Sequence, residues 1–166
     1  MPRGIIIPAD ENSPCVTQEF IGLKDYRQAV GGLIEPVDLP RIGATIYVNE
    51  EGLILDLPLN VRATILRWFW MPDTLRQSTL VGDAVLVGMP DPRGDTTDLP
   101  DWFAKNVLCT LGHYVEIKLV TRPEWYANRQ RFASYFEAAV WARAAAERSS
   151  LIEEVRIVSP CSDQPS

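Results

Sequence analysis

The first hydrophobic pattern in the chain is a run of alternating and β-branched residues broken by turn clusters. Residues 4–9 (GIIIPA) form a short β-branched run, and residues 15–20 (CVTQEF) resume after the polar cluster Asp10, Glu11, Asn12, Ser13 and Pro14. This spacing predicts an antiparallel hairpin. Pro8 cannot donate to a ladder, so it belongs at a strand end or on an edge. Over residues 23–30 the period changes. Leu23, Tyr26, Ala29 and Val30 share one face at helical spacing, with Lys24, Asp25, Arg27 and Gln28 opposite, which predicts an amphipathic helix. Gly31 and Gly32 end it, because glycine takes up the left-handed conformation of a helix C-terminus at little cost.

Residues 33–39 are extended, with Pro36 indicating an edge, and residues 44–48 (ATIYV) are a strong strand. Asn49, Glu50, Glu51 and Gly52 predict a hairpin loop with Gly52 at a positive φ, and residues 53–55 predict the returning strand. Asn60 is placed to cap a helix over residues 61–70, with Val61, Ile65, Trp68 and Phe69 on its inward face and Pro72 as its stop. The continuous apolar run Ala84–Val87 predicts a central strand covered on both faces. Residues 101–111 predict a short helix capped by Gly112, with Trp102 or Phe103, Val107, Leu108 and Leu111 inward. Residues 114–121 alternate, with Val115, Ile117 and Leu119 on one face and Glu116 and Lys118 on the other. A loop over residues 123–129 leads to a long helix over residues 130–149, whose stripe is Phe132, Tyr135, Phe136, Ala139, Val140 and Arg143. Residues 151–159 form the last strand.

These elements predict an α+β fold: a mixed, mostly antiparallel sheet with three to four helices mainly on one face, and a C-terminal β-α-β addition whose strands run parallel through a right-handed crossover. Residues 1–88 form the core domain, and residues 89–100 an acidic Pro/Gly loop. Residues 101–159 share the same sheet or pack on it, and residues 160–166 are a disordered tail.

Composition narrows the function. The 166 residues are 46% hydrophobic and 23% charged, enough for a core that needs neither disulfide nor metal. The net charge of -6 argues against direct nucleic-acid binding, which needs clustered Lys and Arg. It leaves room for a basic partner or for imitation of nucleic acid. Three separated cysteines, Cys15, Cys109 and Cys161, and a single histidine, His113, exclude a four-ligand structural zinc site, and free thiols point to a reducing compartment. No run approaches the ~20 apolar residues of a membrane helix. The expected location is the cytoplasm, with no membrane partner and no cofactor.

Individual residues add candidates. Glu50 and Glu51, with Asp83 and His113, are the groups an enzyme or ligand sensor would have to gather into a pocket. Each also reads as a solvated loop tip, a turn residue or an isolated histidine. Asp91, Asp95 and Asp98 lie in the acidic loop at a spacing that does not fit a calcium hand. Trp70, Trp125 and Trp141 exceed the needs of one core and are the candidate contact residues.

The tracts Ile5-Ile6-Ile7-Pro8-Ala9-Asp10, Leu23 with Ala29-Val30-Gly31-Gly32, Tyr47-Val48-Asn49-Glu50-Glu51-Gly52, Leu57-Pro58 with Asn60 and Ala63, and Gly82-Asp83 with Val87-Gly88 follow one another in this order. In them the first half of the chain resembles an uncharacterised domain family of actinobacterial chromosomes and plasmids and of phages of those hosts. The resemblance implies a small accessory protein of a mobile element or its host, and brings no catalytic residue. The expected function is that of a non-enzymatic binding or modulator protein acting on a host or phage protein, with a homodimer as a further expectation. A nucleic-acid mimic or regulator of a DNA-binding enzyme, and a small-ligand sensor or enzyme, are the alternatives.

Overall fold

The computed structural model describes residues 1–162. The chain divides into two compact units, Met1–Ala104 and Lys105–Ser166. The fold is α+β, with four helices and two antiparallel sheets among the described residues.

Unit 1 is built on a five-stranded sheet. Its strands are β1 (Arg3–Ile7), β2 (Val16–Glu19), β3 (Ile34–Leu39), β4 (Ala44–Asn49) and β5 (Ala84–Gly88), in the order β2-β1-β5-β4-β3. The hairpin β1–β2 is antiparallel as its turn cluster implies, and Pro36 lies on the edge strand β3. Strand β5 is the middle strand, and all five of its residues are buried. Helix α1 (Leu23–Val30) ends at Gly31, whose φ of 79° is left-handed. Its Tyr26 and Val30 close over one row of the sheet, where Tyr47, Val85 and Val87 point. The register aligns Ile5 and Ile46 with Leu86 on the opposite row, and those three side chains are at most 1% exposed.

Helix α2 (Val61–Trp70) begins at Asn60 and gives way to Pro72, but it turns inward a different face from the expected one. Ala63, Thr64, Leu66 and Phe69 are buried, while Val61, Ile65 and Trp68 are only partly covered. Two polar anchors set this rotation. Thr64 Oγ1 accepts from the Leu80 amide at 2.9 Å, and Arg62 donates to the carbonyls of Pro8, Asp10 and Ser13. The acidic loop of residues 89–100 is tied to the sheet: the Gly88 amide donates to the Thr97 carbonyl, and the Leu99 amide to that of Arg3.

Helix α3 (Asp101–Leu108) spans the division and stops three residues short of Leu111, which is 62% exposed. Unit 2 contains β6 (Tyr114–Leu119), β7 (Trp125–Ala127), α4 (Tyr135–Arg148) and β8 (Ile152–Val158), with the strands in the order β7-β6-β8. Strand β7 occupies the segment expected to be a loop. It reverses the chain, so β6 and β8 pair antiparallel and not through a parallel crossover. Helix α4 starts later than its hydrophobic stripe suggests. Ser134 Oγ accepts from the Glu137 amide while Glu137 Oε2 accepts from the Ala133 amide, a reciprocal cap that sets the first turn. Phe132 is thereby left outside the helix, bridged to His113, and Val140 is exposed.

Cys109 and Cys161 form a disulfide, and Cys15 remains free. The expectation of three free thiols is therefore corrected, and with it the ground for a reducing compartment. Within the expected tail, Cys161 is held by this bridge and Ser162 pairs with Ser159. The remaining tail positions, 163–166, lie outside the described residues. No helix among the described residues is long and apolar enough to cross a membrane.

Candidate functional site

The most unusual surface of unit 1 is the segment between β4 and α2. It does not return as a strand. Strand β4 has β3 on one side and β5 on the other, so neither of its edges is free to accept residues 53–55. The chain instead makes a compact turn, with the Leu55 amide donating to the Glu51 carbonyl at 2.9 Å and the Leu57 amide to that of Gly52 at 3.0 Å. Gly52 does not take the positive φ a hairpin would require; Asp56 does, at 53°. Gly52 provides space, and Gly82, at a φ of 75°, provides both space and a left-handed turn. A Cβ at Gly52 would lie 2.7 Å from Val81 Cγ2, and one at Gly82 2.8 Å from Leu57 Cδ1. Leu57 thus anchors the turn, while Leu53, Ile54 and Leu55 project from it at 77%, 85% and 53% exposure.

Glu50, Glu51 and Asp56 are exposed around this apolar tip. Asn49 fixes its root: Nδ2 donates to the Val30 carbonyl and Oδ1 accepts from the Glu51 amide at 2.8 Å. Asn60 fixes the other end. Its Oδ1 accepts from Ala63 N at 3.0 Å, and Nδ2 donates to the carbonyls of Ile7 and Gly82 at 2.8 and 2.9 Å. Asp83 binds the Ala9 amide at 2.9 Å.

His113 lies in unit 2 and is fully buried. Its Nε2 is 2.6 Å from the Asn106 carbonyl, which can only accept, so Nε2 carries the proton. Nδ1 is buried without a hydrogen-bond partner. Burial pulls the His113 pKa below its ordinary value, the Asn106 carbonyl opposes that shift, and Arg131 adds to it. A neutral histidine closed off in this way is a structural group. Cys15 is also a poor nucleophile, since burial raises its pKa against the influence of Arg62. No group of three potential metal ligands occurs among the described residues.

The acidic loop turns two of its carboxylates to backbone amides, Asp91 within the loop and Asp98 to β1. Asp91 Oδ1 accepts from the amides of Arg93 and Asp95, and Asp98 Oδ1 from that of Arg3 at 2.7 Å. Asp95 is exposed. The three tryptophans are each partly covered. Trp70 meets the rings of Phe69 and Phe103 edge-on, and the Arg41 guanidinium lies 5.7 Å from its centroid. Trp125 lies under the Arg156 guanidinium at 4.0 Å, and Trp141 lies beside Phe132. Sequence reasoning missed the aliphatic tip because Leu53-Ile54-Leu55 has the composition of a strand. Its one signal was the acidic frame of Glu50, Glu51 and Asp56 around an apolar run too short to pair.

Together these features describe a small α+β domain with an ordered, exposed aliphatic turn and no metal cluster among the described residues. The chain belongs to DUF3846, a domain of unknown function, which matches residues 2–112 and so extends past the first half, through the acidic loop and α3. No curated protein and no solved structure matches it.

Proposed function

We propose that the protein is a non-enzymatic binding module that docks on another protein through the turn carrying Leu53, Ile54 and Leu55. The observation that carries this reading is the exposure of three adjacent large aliphatic side chains on a turn ordered by its own backbone hydrogen bonds. Exposing them costs solvation free energy that a partner's cleft recovers, at about 25 cal/mol per Å² of apolar surface removed from water. The surrounding carboxylates of Glu50, Glu51 and Asp56 favour a cleft with a basic rim. In this reading the partner is a host or phage protein, and the chain is an accessory protein of a mobile element or its actinobacterial host. The ordered series of tracts from Ile5 to Gly88 supports that origin.

The test places a photo-crosslinking residue at Ile54 in the full chain. The expected result is one discrete adduct that excess unmodified protein suppresses and excess Ile54→Asp protein does not. An adduct of twice the chain mass would identify the partner as a second copy. Crosslinks that both competitors suppress equally, or none at all, would overturn the reading. The nucleic-acid-mimic alternative finds little support, since Asp91 and Asp98 turn carboxylate oxygens toward backbone amides of the chain itself.

A further inference from the structure

Unit 1 has a second surface feature that does not depend on the aliphatic turn. A solvent-open groove of about 490 Å³ lies beside the start of α1, within the ~300–1,000 Å³ range of small-molecule sites. Three aromatic rings form its lining on one side. Phe20 and Tyr26 stack with centroids 4.6 Å apart, and Tyr47 meets Tyr26 edge-on at 5.2 Å. Tyr26 is only 5% exposed, yet its Oη has no hydrogen-bond partner. The Thr96 side chain neighbours this hydroxyl, but outside hydrogen-bonding geometry. A buried phenol left unpaired costs about 1–3 kcal/mol, so it is a group for which a bound acceptor would give a return.

The charges around the groove define the class of ligand. Among the described residues that line it, Asp95 carries the one charged side chain, and no Lys, Arg or His is present. Asp25 adds a second negative charge within reach of the phenol. Its Oδ2 accepts from the Ile21 amide at 2.7 Å, so the donor ahead of α1 is already taken. An anion therefore finds no side-chain cation on the lining and meets the carboxylates of Asp95 and Asp25. Burial raises the Tyr26 pKa above its ordinary value, and Tyr47 and Asp25 raise it further against the opposing effect of Thr96. At neutral pH the hydroxyl keeps its proton and donates.

We propose that this groove binds an uncharged small molecule with a flat aromatic body, which lies over the edges of Tyr26 and Tyr47 in front of the buried Phe20, and a carbonyl-type acceptor, which takes the hydrogen bond from Tyr26 Oη.

The probe is prodan, an uncharged naphthalene ketone whose emission reports both the polarity around it and hydrogen bonding to its carbonyl. The full chain should bind it saturably at one site. Tyr26→Phe keeps the ring and removes a hydroxyl that bonds to nothing in the free protein, so its fold should persist. It should weaken binding by about three- to tenfold, one neutral hydrogen bond, and remove the hydrogen-bonding component of the emission shift. Gly22 gives a second variant. It lines the groove, its φ of -178° suits any residue, and a Cβ there meets nothing within 4 Å. Gly22→Phe should obstruct the groove and abolish binding, while Ile54→Asp should leave it unchanged. Equal binding by Tyr26→Phe and the parent would overturn the proposal, as would undiminished binding by Gly22→Phe or the absence of saturable binding. So would equal affinity for the anionic probe anilinonaphthalene sulfonate.

Discussion

The two units stabilise themselves in different ways. Unit 1 surrounds its central strand β5 completely and builds large aliphatic and aromatic residues onto both rows of a five-stranded sheet. Its buried Asn60 uses its acceptor and both donors. Unit 2 has three strands and one long helix, and much of its interior is alanine: Ala138, Ala139, Ala142 and Ala145. Both units bury polar atoms without hydrogen-bond partners, Tyr26 Oη in unit 1 and His113 Nδ1 and Asn106 Oδ1 in unit 2. A small core like that of unit 2 gains from a covalent staple, and the Cys109–Cys161 bridge provides one. The contrast is between stability drawn from burial and stability drawn from a cross-link. It can be broken from either side.

The largest effect should come from the staple. The bridge joins positions 52 residues apart, and closing a loop of that length is worth roughly 4 kcal/mol in the chain-entropy account. Reduction, or Cys109→Ser with Cys161→Ser, should lower the protection of unit 2 amides in hydrogen exchange by about that amount and leave those of β1, β4 and β5 unchanged. Equal loss in both units would show that the contrast is wrong.

Next in size is Asn60→Ala in unit 1. It removes an N-cap worth about 1 kcal/mol and leaves the Ile7 and Gly82 carbonyls short of a donor, at about 1 kcal/mol each. Urea denaturation should report a loss of roughly 3 kcal/mol, independent of reductant. A loss below ~1 kcal/mol would mean that water replaces the side chain at both carbonyls.

His113 makes a smaller, pH-dependent contribution. Its folded-state pKa lies below its ordinary value of 6.5. Above pH 7 both folded and unfolded chains carry the neutral ring, and pH has no effect through this residue. Below 6.5 the unfolded chain binds a proton that the folded chain resists, so stability falls as pH falls, by at most about 1.4 kcal/mol per pH unit. The fall levels off once the folded-state pKa is passed. His113→Gln should flatten the stability of unit 2 between pH 7 and 5. An unchanged slope would assign the acid sensitivity to carboxylates.

The same contrast separates what was legible in the sequence from what was not. The bounds of α1 and α2 could be read because Gly31, Asn60 and Pro72 act on their own neighbours. The central position of β5 followed from an unbroken apolar run. The turn at residues 50–56 is not legible locally because the alternative is decided far away, by β5 taking the free edge of β4. The rotation of α2 likewise depends on Leu80 and on the carbonyls that Arg62 reaches. In unit 2 the disulfide and the His113–Asn106 contact depend on folding that no spacing rule encodes. The start of α4 was a local signal, Ser134 followed three residues later by Glu137, hidden by a hydrophobic stripe that ran past it. The aliphatic tip is visible in the sequence only as composition, and Leu53-Ile54-Leu55 suits a strand equally well.

The smallest expected effect tests whether the outer face of the unit 2 sheet adds to its stability or only decorates it. Glu116 and Arg156 are register partners on β6 and β8, and Arg156 Nε donates to Glu116 Oε1 at 2.8 Å. The same guanidinium covers the Trp125 ring. With side-chain exposures of 29% and 21%, the ion pair is partly screened; together with the ring contact it should be worth about 1 kcal/mol. Arg156→Lys keeps the charge but loses the planar group that can bond the carboxylate and lie over the ring at once, so it should forfeit about half of that. A double-mutant cycle of Arg156→Gln with Trp125→Leu isolates the ring term. A coupling near 0.5 kcal/mol would make Trp125 part of the sheet's own packing and leave the aliphatic turn of unit 1 as the stronger contact surface. A coupling near zero would return Trp125 to the candidates for an interface.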